Sequence, residues 1–335
     1  MIAPVCMVVP FLSVGLRANL ANLGFEQSSF CDSEDRRSIE KIVSELPAGN
    51  PANMRRLIEI LRQAQSERTA IGHFNVADLV LLKAVMGAAR ELNVPVLVGA
   101  SEGEREFMGT RQLSALVKSL REEFDFPIFL DADHTHSLAK AVEAAKSGFH
   151  SVVFDLSALP LEENAKQTRG AVEALKSINP EILVEGEIGD IGSGSEIHDE
   201  VPGAPPRLTT ASEARHFVEA TRIDILAPSV GNAHGMRRKM VAGEERKHLN
   251  VDRIREIKEA TGLPLTLHGG SGTADEDLRM AIRAGINIVH IQHRAPSCLE
   301  ARLGGGTPST RGCGRPLQDL AVCCCFRTAG RQFID

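Results

Sequence analysis

The sequence contains no tryptophan and no tyrosine, and its seven cysteines avoid most of the chain. Two cysteines lie within residues 1–31 and five within residues 298–325, so none occurs between Asp32 and Ser297. This distribution excludes a disulfide framework through the central part of the chain. It predicts a reducing compartment, and we therefore expect a cytoplasmic protein.

Long apolar runs and an excess of positive charge are also missing. No stretch reaches the ~18 consecutive apolar residues that a membrane span needs. Residues 1–16 are apolar, but they lack a preceding basic segment and include Pro4 and Pro10, so we do not expect a secretory signal. The 38 basic and 44 acidic side chains give a net charge of −6, and nothing in this balance favours nucleic acid or an anionic membrane as a partner.

What is present is a composition typical of globular proteins, with 43% hydrophobic and 24% charged residues. From about residue 53, short apolar runs alternate with amphipathic stretches. The apolar runs are Ala70–Phe74, Val94–Val98, Pro127–Leu130, Ser151–Phe154, Ile182–Val184, Ile223–Ala227, Pro264–Leu267 and Asn287–Ile291. The stretches with helical periodicity are Asn53–Ser66, Leu79–Leu92, Thr110–Glu123, Ser137–Ser147, Leu161–Ile178, Thr210–Ala220, Val251–Ala260 and Asp275–Ala284.

Eight strands that alternate with helices predict βαβ units and a parallel sheet. Eight repeats with nearly continuous apolar strands favour a closed α/β barrel, the (β/α)8 TIM barrel, over an open sheet. An open doubly wound sheet is the alternative, but no G-x-G-x-x-G sequence follows the first strand. In a barrel, the segments that follow the strands form the active site.

Three histidines stand just after the predicted strands 3, 6 and 7, at His134, His234 and His268. A barrel brings these strand ends to one mouth, and three converging histidines with an open position form a recognised catalytic zinc site. The neighbouring Asp133 is either a general acid/base or a hydrogen-bonded support for a ligand. Five other histidines lack such a position and are expected to be structural or surface residues: His136, His150, His198, His216 and His248.

The seventh strand is followed by the glycine-rich segment 268–272, and a helix is predicted from Asp275. Glycines let backbone N–H groups approach an anion closely, and a helix N-terminus adds a favourable dipole. In barrels, the loops after strands 7 and 8 often hold phosphate. This position predicts a phosphate site at Gly269, Gly270 and Ser271, whereas a Gly-Gly-Ser-Gly stretch taken alone indicates only a turn.

Residues 70–291 resemble the class II, zinc-dependent ketose-bisphosphate aldolases, the family of fructose-1,6-bisphosphate and tagatose-1,6-bisphosphate aldolases. The motifs that carry the resemblance are GHFNV (72–76), DADH (131–134), GFHSVVFDLS (148–157), LEEN (161–164), VEGEIG (184–189), NAHG (232–235) and LHGGSG (267–272). The SEGER stretch at 101–105, after the second strand, is similar to one subgroup of this family.

The resemblance implies a zinc ion that is bound by the three histidines and polarises the ketose carbonyl, with Asp133 as the acid/base. It implies aldol cleavage of fructose or tagatose 1,6-bisphosphate to dihydroxyacetone phosphate and glyceraldehyde 3-phosphate, or the reverse condensation. The alternative is a catalytically impaired metal-binding barrel that acts as a binding or scaffold protein. We expect a homo-oligomer that binds a small sugar bisphosphate and binds neither nucleic acid nor membrane.

Further residues match positions of the family. Asp155 and Glu187 match positions that hold a second divalent ion in some members, and a monovalent cation is the other ion considered. The substrate-contacting positions are matched by Asn75, Ser101, Gly235, Gly269, Gly270 and Ser271. Ungapped counting places Ser195 where a loop glutamate of the family serves as proton donor, and Glu196 is expected to take this role through a shift of the loop. Asp131 stands where the family often has histidine.

The resemblance stops after Ile291. From His293 onward the basic residues are arginines without lysine, and a triple glycine and a triple cysteine follow. This abrupt change resembles translation in a shifted reading frame. We therefore predict an N-terminal extension at residues 1–50, a barrel at 51–292 and an atypical tail at 293–335, with the final barrel helix missing or altered.

Overall fold

The computed structural model describes residues 55–189, 207–234 and 246–291 in full, and only the backbone of 197–198 and 236–237. The strands are β1 Ile71–Asn75, β2 Val96–Ala100, β3 Ile128–Thr135, β4 Ser151–Phe154, β5 Leu183–Ile188, β6 Ile197–His198, β7 Ile225–Pro228, β8 Met236–Arg237, β9 Leu265–Leu267 and β10 Ile286–Ile291. The helices are α1 Leu57–Glu67, α2 Leu79–Leu92, α3 Glu102–Met108, α4 Thr110–Phe124, α5 Leu138–Ser147, α6 Leu161–Ile178, α7 Ala211–Thr221, α8 Val251–Thr261 and α9 Asp275–Ala284.

Eight of these strands form a closed parallel barrel in the order β1-β10-β9-β7-β5-β4-β3-β2. The barrel closes where Ile71 of β1 pairs with Ile288 of β10. The prediction of a (β/α)8 TIM barrel is confirmed. The two short strands β6 and β8 pair with each other, with Ile197 opposite Met236. No helix in the described part of the chain is both long and apolar enough to cross a membrane.

Five of the nine described helices begin at a residue whose side chain caps them, and α2 combines such a cap with an apolar stripe. The Asp78 side chain accepts a hydrogen bond from the Leu81 N–H and so caps α2, whose buried face includes Leu82, Val85 and Ala89. The predicted bounds of α2, α6 and α9 agree with the structure. The structure adds α3, which no prediction covered, because its seven residues are too few to show a helical period.

The predicted ends of two strands were wrong. β3 continues through Thr135 and β5 through Ile188, so Asp131, Asp133 and Glu187 lie on strands and not in the loops after them. In a sequence, a buried parallel strand is predicted from a continuous run of apolar residues. The predicted strand therefore ends at the first polar side chain. The backbone pairing continues past that point because it does not depend on side-chain polarity.

The barrel interior is layered from one end to the other. Ten apolar residues at the N-terminal ends of the strands and on α1 form one cluster, with Phe129, Leu183 and Ile288 among its members. Because side chains at i, i+2 and i+4 of a strand share a face, the next inward positions are polar. α1 thus closes the N-terminal end, and the polar layers rise towards the C-terminal end of the barrel.

The predicted boundaries near residues 50 and 292 stay predictions. The N-terminal extension, most of the segment between β5 and α7, and the tail from Gln292 lie outside the described residues. The predicted loop donor Glu196 and the predicted substrate residue Gly235 also lie outside them.

Candidate active site

The polar layers follow directly from the strand period. On β1 the inward sequence is Ile71, His73 and Asn75, and on β3 it begins with Phe129 and Asp131. On both of these strands, an apolar residue lies at the N-terminal end of the barrel, which α1 closes, and the polar residues lie nearer the C-terminal end. A cluster of ionisable side chains therefore fills the upper half of the barrel, where buried polar groups need partners.

The three histidines predicted to bind a metal converge in this region. His134 and His234 have ring centroids 4.8 Å apart, and His134 and His268 are also 4.8 Å apart. One ligand atom from each of these histidines, together with one from Glu187, lies within 4.8 Å of all the others. His134 lies on β3 and Glu187 on β5, whereas His234 and His268 lie in the segments that follow β7 and β9.

Two of the histidines are oriented by carboxylates. His134 Nδ1 donates to Asp155 Oδ2 at 2.9 Å, and His268 Nε2 donates to Glu185 Oε1 at 2.7 Å. The other ring nitrogens, His134 Nε2 and His268 Nδ1, then face each other at 3.1 Å. Two nitrogens bound to one tetrahedral zinc are about 3.3 Å apart, because each zinc–nitrogen bond is about 2.0–2.1 Å long. The hydrogen bond to Asp155 fixes the His134 ring, as carboxylates commonly do for histidines that bind metals.

Buried groups without partners also fit a metal. Within the described residues, both ring nitrogens of His234 lack a hydrogen-bond partner, and so does Oε2 of Glu187. Burial and the neighbouring imidazoles lower the pKa of His234 to about 3, and they lower that of His268 to about 3. Both rings are thus neutral, which is the form that binds metals. The donor set of three imidazoles and a carboxylate suits a divalent transition metal.

A β-bulge explains how two consecutive residues reach the same site. The register of β3 against β4 shifts between Ala132 and Thr135, so one extra residue is inserted in β3. At that point His134 has a φ of 36°, in the left-handed region that non-glycine residues rarely adopt. Asp133 and His134 consequently both face the mouth, and such backbone strain is typical of functional sites.

Asp133 is fully buried beside the histidine cluster. Asn75 Nδ2 donates to its Oδ2 at 2.8 Å, while its Oδ1 lies 3.4 Å from His290 Nδ1 and 3.8 Å from His134 Nε2. Burial by itself raises the pKa of Asp133, but the imidazoles of His134, His290 and His73 together lower it well below its usual range. The carboxylate is therefore ionised and available to accept a proton.

Beneath Asp133 lies a pair of stacked histidines. The rings of His73 and His290 are 3.5 Å apart and nearly parallel, and both are buried. His73 Nε2 donates to Asp131 Oδ2 at 3.1 Å, and Ser151 Oγ donates to Asp131 Oδ1 at 2.6 Å. Asp131 is thus the partner of a buried histidine, which accounts for its place in the DADH motif.

The SEGER stretch forms α3 and supports the end of β3. Ser101 caps this helix, and its hydroxyl donates to Glu104 Oε2 at 2.9 Å. Arg105 is 3% exposed and donates to the Asp133 carbonyl at 3.2 Å and to Thr135 Oγ1 at 3.0 Å. This arrangement places Ser101 and Asn75 at the rim beside Asp133, since Asn75 Nδ2 also donates to Glu104 at 3.1 Å.

The predicted phosphate segment lies between β9 and α9. Gly269 has a φ of 61°, and a Cβ atom there would lie 2.3 Å from the Ala233 carbonyl oxygen. The Gly270 N–H donates to the His290 carbonyl at 3.1 Å, so this amide already has a partner. The first turn of α9 is acidic, with Asp275, Glu276 and Asp277, and these residues complement the helix dipole.

None of the described histidines expected to be structural or surface residues belongs to the three-histidine cluster, although the ring of His136 lies 6.4 Å from that of His134. His136, His216 and His248 are exposed, and His150 accepts a hydrogen bond from the Leu130 N–H. The side chain of His198 lies outside the described residues.

Comparison with known proteins identifies the family. The sequence model described as fructose-bisphosphate aldolase class-II matches residues 55–297 of this chain. The chain belongs to the class II fructose-bisphosphate aldolase family. It is therefore a carbon–carbon lyase, and the resemblance stated from its motifs is confirmed. Members of this family are metal-dependent and act on sugar phosphates.

Two relatives of this class II aldolase are similar over most of their length. A probable fructose-bisphosphate aldolase of Bacillus subtilis is 35% identical over 238 residues, which are 70% of this chain and 80% of the relative. A sulfofructosephosphate aldolase of Alkalicoccus urumqiensis is 32% identical over 232 residues, 69% of this chain and 78% of the relative.

Two solved structures share the fold of this class II aldolase. The YdjI aldolase of Escherichia coli K12 is 26% identical, with a TM-score of 0.65, and the match covers 82% of this chain and 96% of that one. A putative fructose-1,6-bisphosphate aldolase from Coccidioides immitis is 25% identical, with a TM-score of 0.64, and the match covers 83% and 97%.

Sequence reasoning missed several residues that the class II aldolase barrel places beside the cluster. Glu185 and Thr266, which are hydrogen-bonded to each other at 2.7 Å, were not assigned roles. His73 stood only within the GHFNV motif, and His290 only within the last apolar run. Counting by two along β1, β5 and β10 from the buried apolar residues would have found three of them. Their pairing across the barrel required the register between strands.

Proposed function

We propose that this class II aldolase catalyses zinc-dependent cleavage of a ketose 1,6-bisphosphate, fructose or tagatose 1,6-bisphosphate, to dihydroxyacetone phosphate and glyceraldehyde 3-phosphate, or the reverse condensation. The observation that carries the proposal is the convergence of His134, His234 and His268 beside the buried, ionised Asp133. The orphaned nitrogens of His234 support a metal ligand role for this cluster.

The three imidazoles would hold the zinc ion, with Glu187 within reach. When bound, zinc supplies Lewis-acid polarisation of the ketose C2 carbonyl. Asp133 takes the proton from the C4 hydroxyl as the C3–C4 bond breaks, and its ionised state suits it to this role. Asn75 holds Asp133 Oδ2 in place, and Arg105 holds its backbone carbonyl. A proton must then be returned to C3, and Glu196 is our candidate donor.

The substrate would be oriented by its phosphate groups. Gly269 and Ser271 are proposed to contact the phosphate of the dihydroxyacetone half. Gly270 lies between them, with its amide held by the His290 carbonyl, and lets the segment approach the phosphate closely. Gly235 is proposed to lie beside them, with Asn75 and Ser101 towards the reacting carbons. A monovalent cation, or a second divalent ion near Asp155 and Glu187, would add positive charge for the phosphate. Cytoplasmic location and a homo-oligomeric state complete the proposal.

The proposed cleavage involves C2, C3 and C4 of the ketose, and it does not determine which anionic group the substrate carries at C6. The similarity to a sulfofructosephosphate aldolase makes a ketose phosphate with a C6 sulfonate the second candidate substrate. Both substrates would use the same metal and the same Asp133, because the bond cleaved is the same. They differ in the anion that the enzyme must recognise at the far end of the sugar.

A coupled assay that measures dihydroxyacetone phosphate tests the proposal. The full chain is assayed with fructose 1,6-bisphosphate, tagatose 1,6-bisphosphate and 6-sulfofructose 1-phosphate, with added zinc and after treatment with a chelator. We expect turnover of a ketose phosphate that chelation abolishes and zinc restores. Cleavage that persists after chelation would rule out the metal assignment, and zinc binding without turnover would favour the impaired barrel.

Asp133→Asn tests the base, and Asp224→Asn is the matched control. We expect Asp133→Asn to lower kcat by about 10²–10⁴-fold, the usual contribution of a general base. Asp224 lies at the other end of the barrel, where it accepts from Lys176 at 2.8 Å and from the Val184 N–H at 2.8 Å. Its variant should keep nearly normal activity, and equal losses in both variants would contradict the assignment.

A further inference from the structure

Lys247 is a buried lysine that the proposed reaction does not use. Its side chain is 7% exposed, and its Nζ donates to the Ala233 carbonyl at 2.6 Å and to the Gly269 carbonyl at 3.1 Å. Ala233 directly precedes His234, and Gly269 directly follows His268. One ammonium group therefore joins the backbone segments that carry two of the three proposed metal ligands.

These two segments approach each other unusually closely. A Cβ atom on Gly269 would lie 2.3 Å from the Ala233 carbonyl oxygen, so only glycine fits at this contact. Two carbonyl oxygens brought together in a buried place repel each other, because both carry partial negative charge. An ammonium group with three N–H donors satisfies both oxygens at once, and a buried charge needs such partners.

Lys247 is itself fixed to one of these segments. Its backbone N–H donates to the Gly272 carbonyl at 2.9 Å, and its carbonyl accepts from the Ala274 N–H at 3.2 Å. Its main chain is thus hydrogen-bonded to the loop before α9, while its side chain reaches the residue before His234. Asn232 provides a second link, because its Nδ2 donates to the His268 carbonyl at 3.1 Å.

We propose that Lys247 is a positioning residue of the metal site, whose ammonium group fixes the separation of His234 and His268. The inference rests on the metal-dependent function proposed above. The ring centroids of these two histidines are 5.8 Å apart, and metal sites require ligand positions within about 0.5 Å of the binding geometry. Without the ammonium group, the two carbonyl oxygens would move apart and carry the histidines with them.

The test measures metal binding directly. Zinc affinity is determined by chelator competition for the wild-type chain, Lys247→Met and the control Lys258→Met. Lys258 is also partly buried and also donates to a backbone carbonyl, that of Leu263 at 2.7 Å, but at the N-terminal end of β9. We expect Lys247→Met to weaken zinc binding about 10–100-fold, the usual cost of losing a group that supports a ligand. Lys258→Met should bind zinc normally.

A second measurement separates positioning from general stability. Lys247→Ala is titrated with ammonium chloride and, at equal ionic strength, with tetramethylammonium chloride, which has no N–H donor. We expect ammonium alone to recover zinc affinity and the wild-type absorption spectrum of the Co²⁺-substituted site. Circular dichroism records whether each variant is folded. If Lys247→Met fails to fold, Lys247→Arg takes its place and should alter the Co²⁺ spectrum.

The outcomes distinguish this inference from the proposed function. A wild-type chain that binds no zinc contradicts the proposed function. A wild-type chain that binds zinc, together with folded Lys247 variants of unchanged affinity and Co²⁺ spectrum, overturns only the role of Lys247. Equal rescue by ammonium and tetramethylammonium would likewise overturn it.

Discussion

His150 at the closed end of the barrel predicts a specific dependence of stability on pH. Its Nδ1 accepts the Leu130 N–H at 3.0 Å, and its backbone N–H donates to the Leu130 carbonyl at 2.8 Å. Burial, with the nearby charge of Arg121, lowers the pKa of His150 from 6.5 to about 4. The folded state therefore needs the neutral imidazole, because a protonated Nδ1 could not accept this hydrogen bond.

The sign and size of the effect follow from linkage. A histidine with a depressed folded pKa contributes its full stability above its unfolded pKa of 6.5, and this contribution is lost as the pH falls towards 4. Between pH 7 and pH 5, the loss amounts to about 2 kcal/mol, since one pKa unit corresponds to about 1.4 kcal/mol. At pH 4 the loss reaches about 3 kcal/mol.

The assay is urea unfolding of the full chain at pH 7 and pH 5, in the presence of a chelator. The matched variant is His150→Asn, whose Oδ1 can still accept from the Leu130 N–H but does not titrate in this range. Other groups contribute equally to both proteins, so the wild type should lose about 2 kcal/mol more than the variant. Equal losses in the two proteins would refute the reasoning.

Three further predictions concern the site and the core. Gly269→Ala should weaken zinc binding in a chelator competition, because a Cβ there would collide with the Ala233 carbonyl and its φ is 61°. Glu185→Gln should weaken zinc binding about 10–100-fold in the same measurement, because Glu185 holds the His268 ring. Phe217→Ala should destabilise the barrel by about 3–5 kcal/mol in urea unfolding, since Phe217 is fully buried.

The sequence predicted the barrel because its signals are local. Apolar runs and helical periods recur eight times, and the bounds of three helices agree with the structure. The convergence of His134, His234 and His268 could also be predicted, because the barrel topology alone brings strand ends to one mouth. These predictions required no knowledge of which strand residue faces which neighbour.

Other parts of the site depend on contacts between distant segments. Lys247 donates to the backbone carbonyls of Ala233 and Gly269, which lie 14 and 22 positions away in the chain. Every residue has a backbone carbonyl, so no residue pattern predicts which of them will accept a hydrogen bond. The stacking of His73 on His290 depends on the register that closes the barrel. Geometry of this kind follows from the fold and leaves no periodic signal in the sequence.

The extra residue in β3 lets two consecutive residues, the proposed base Asp133 and the proposed ligand His134, face the same site. Their Cα atoms are about 3.8 Å apart in every conformation, because a single trans peptide unit joins them. Motions of β7 or β9 can shift His234 and His268, but they cannot separate Asp133 from His134. Movements of the barrel strands can therefore change the distances between the proposed metal ligands. The Cα atom of the proposed base Asp133 stays at a constant distance from that of the proposed ligand His134.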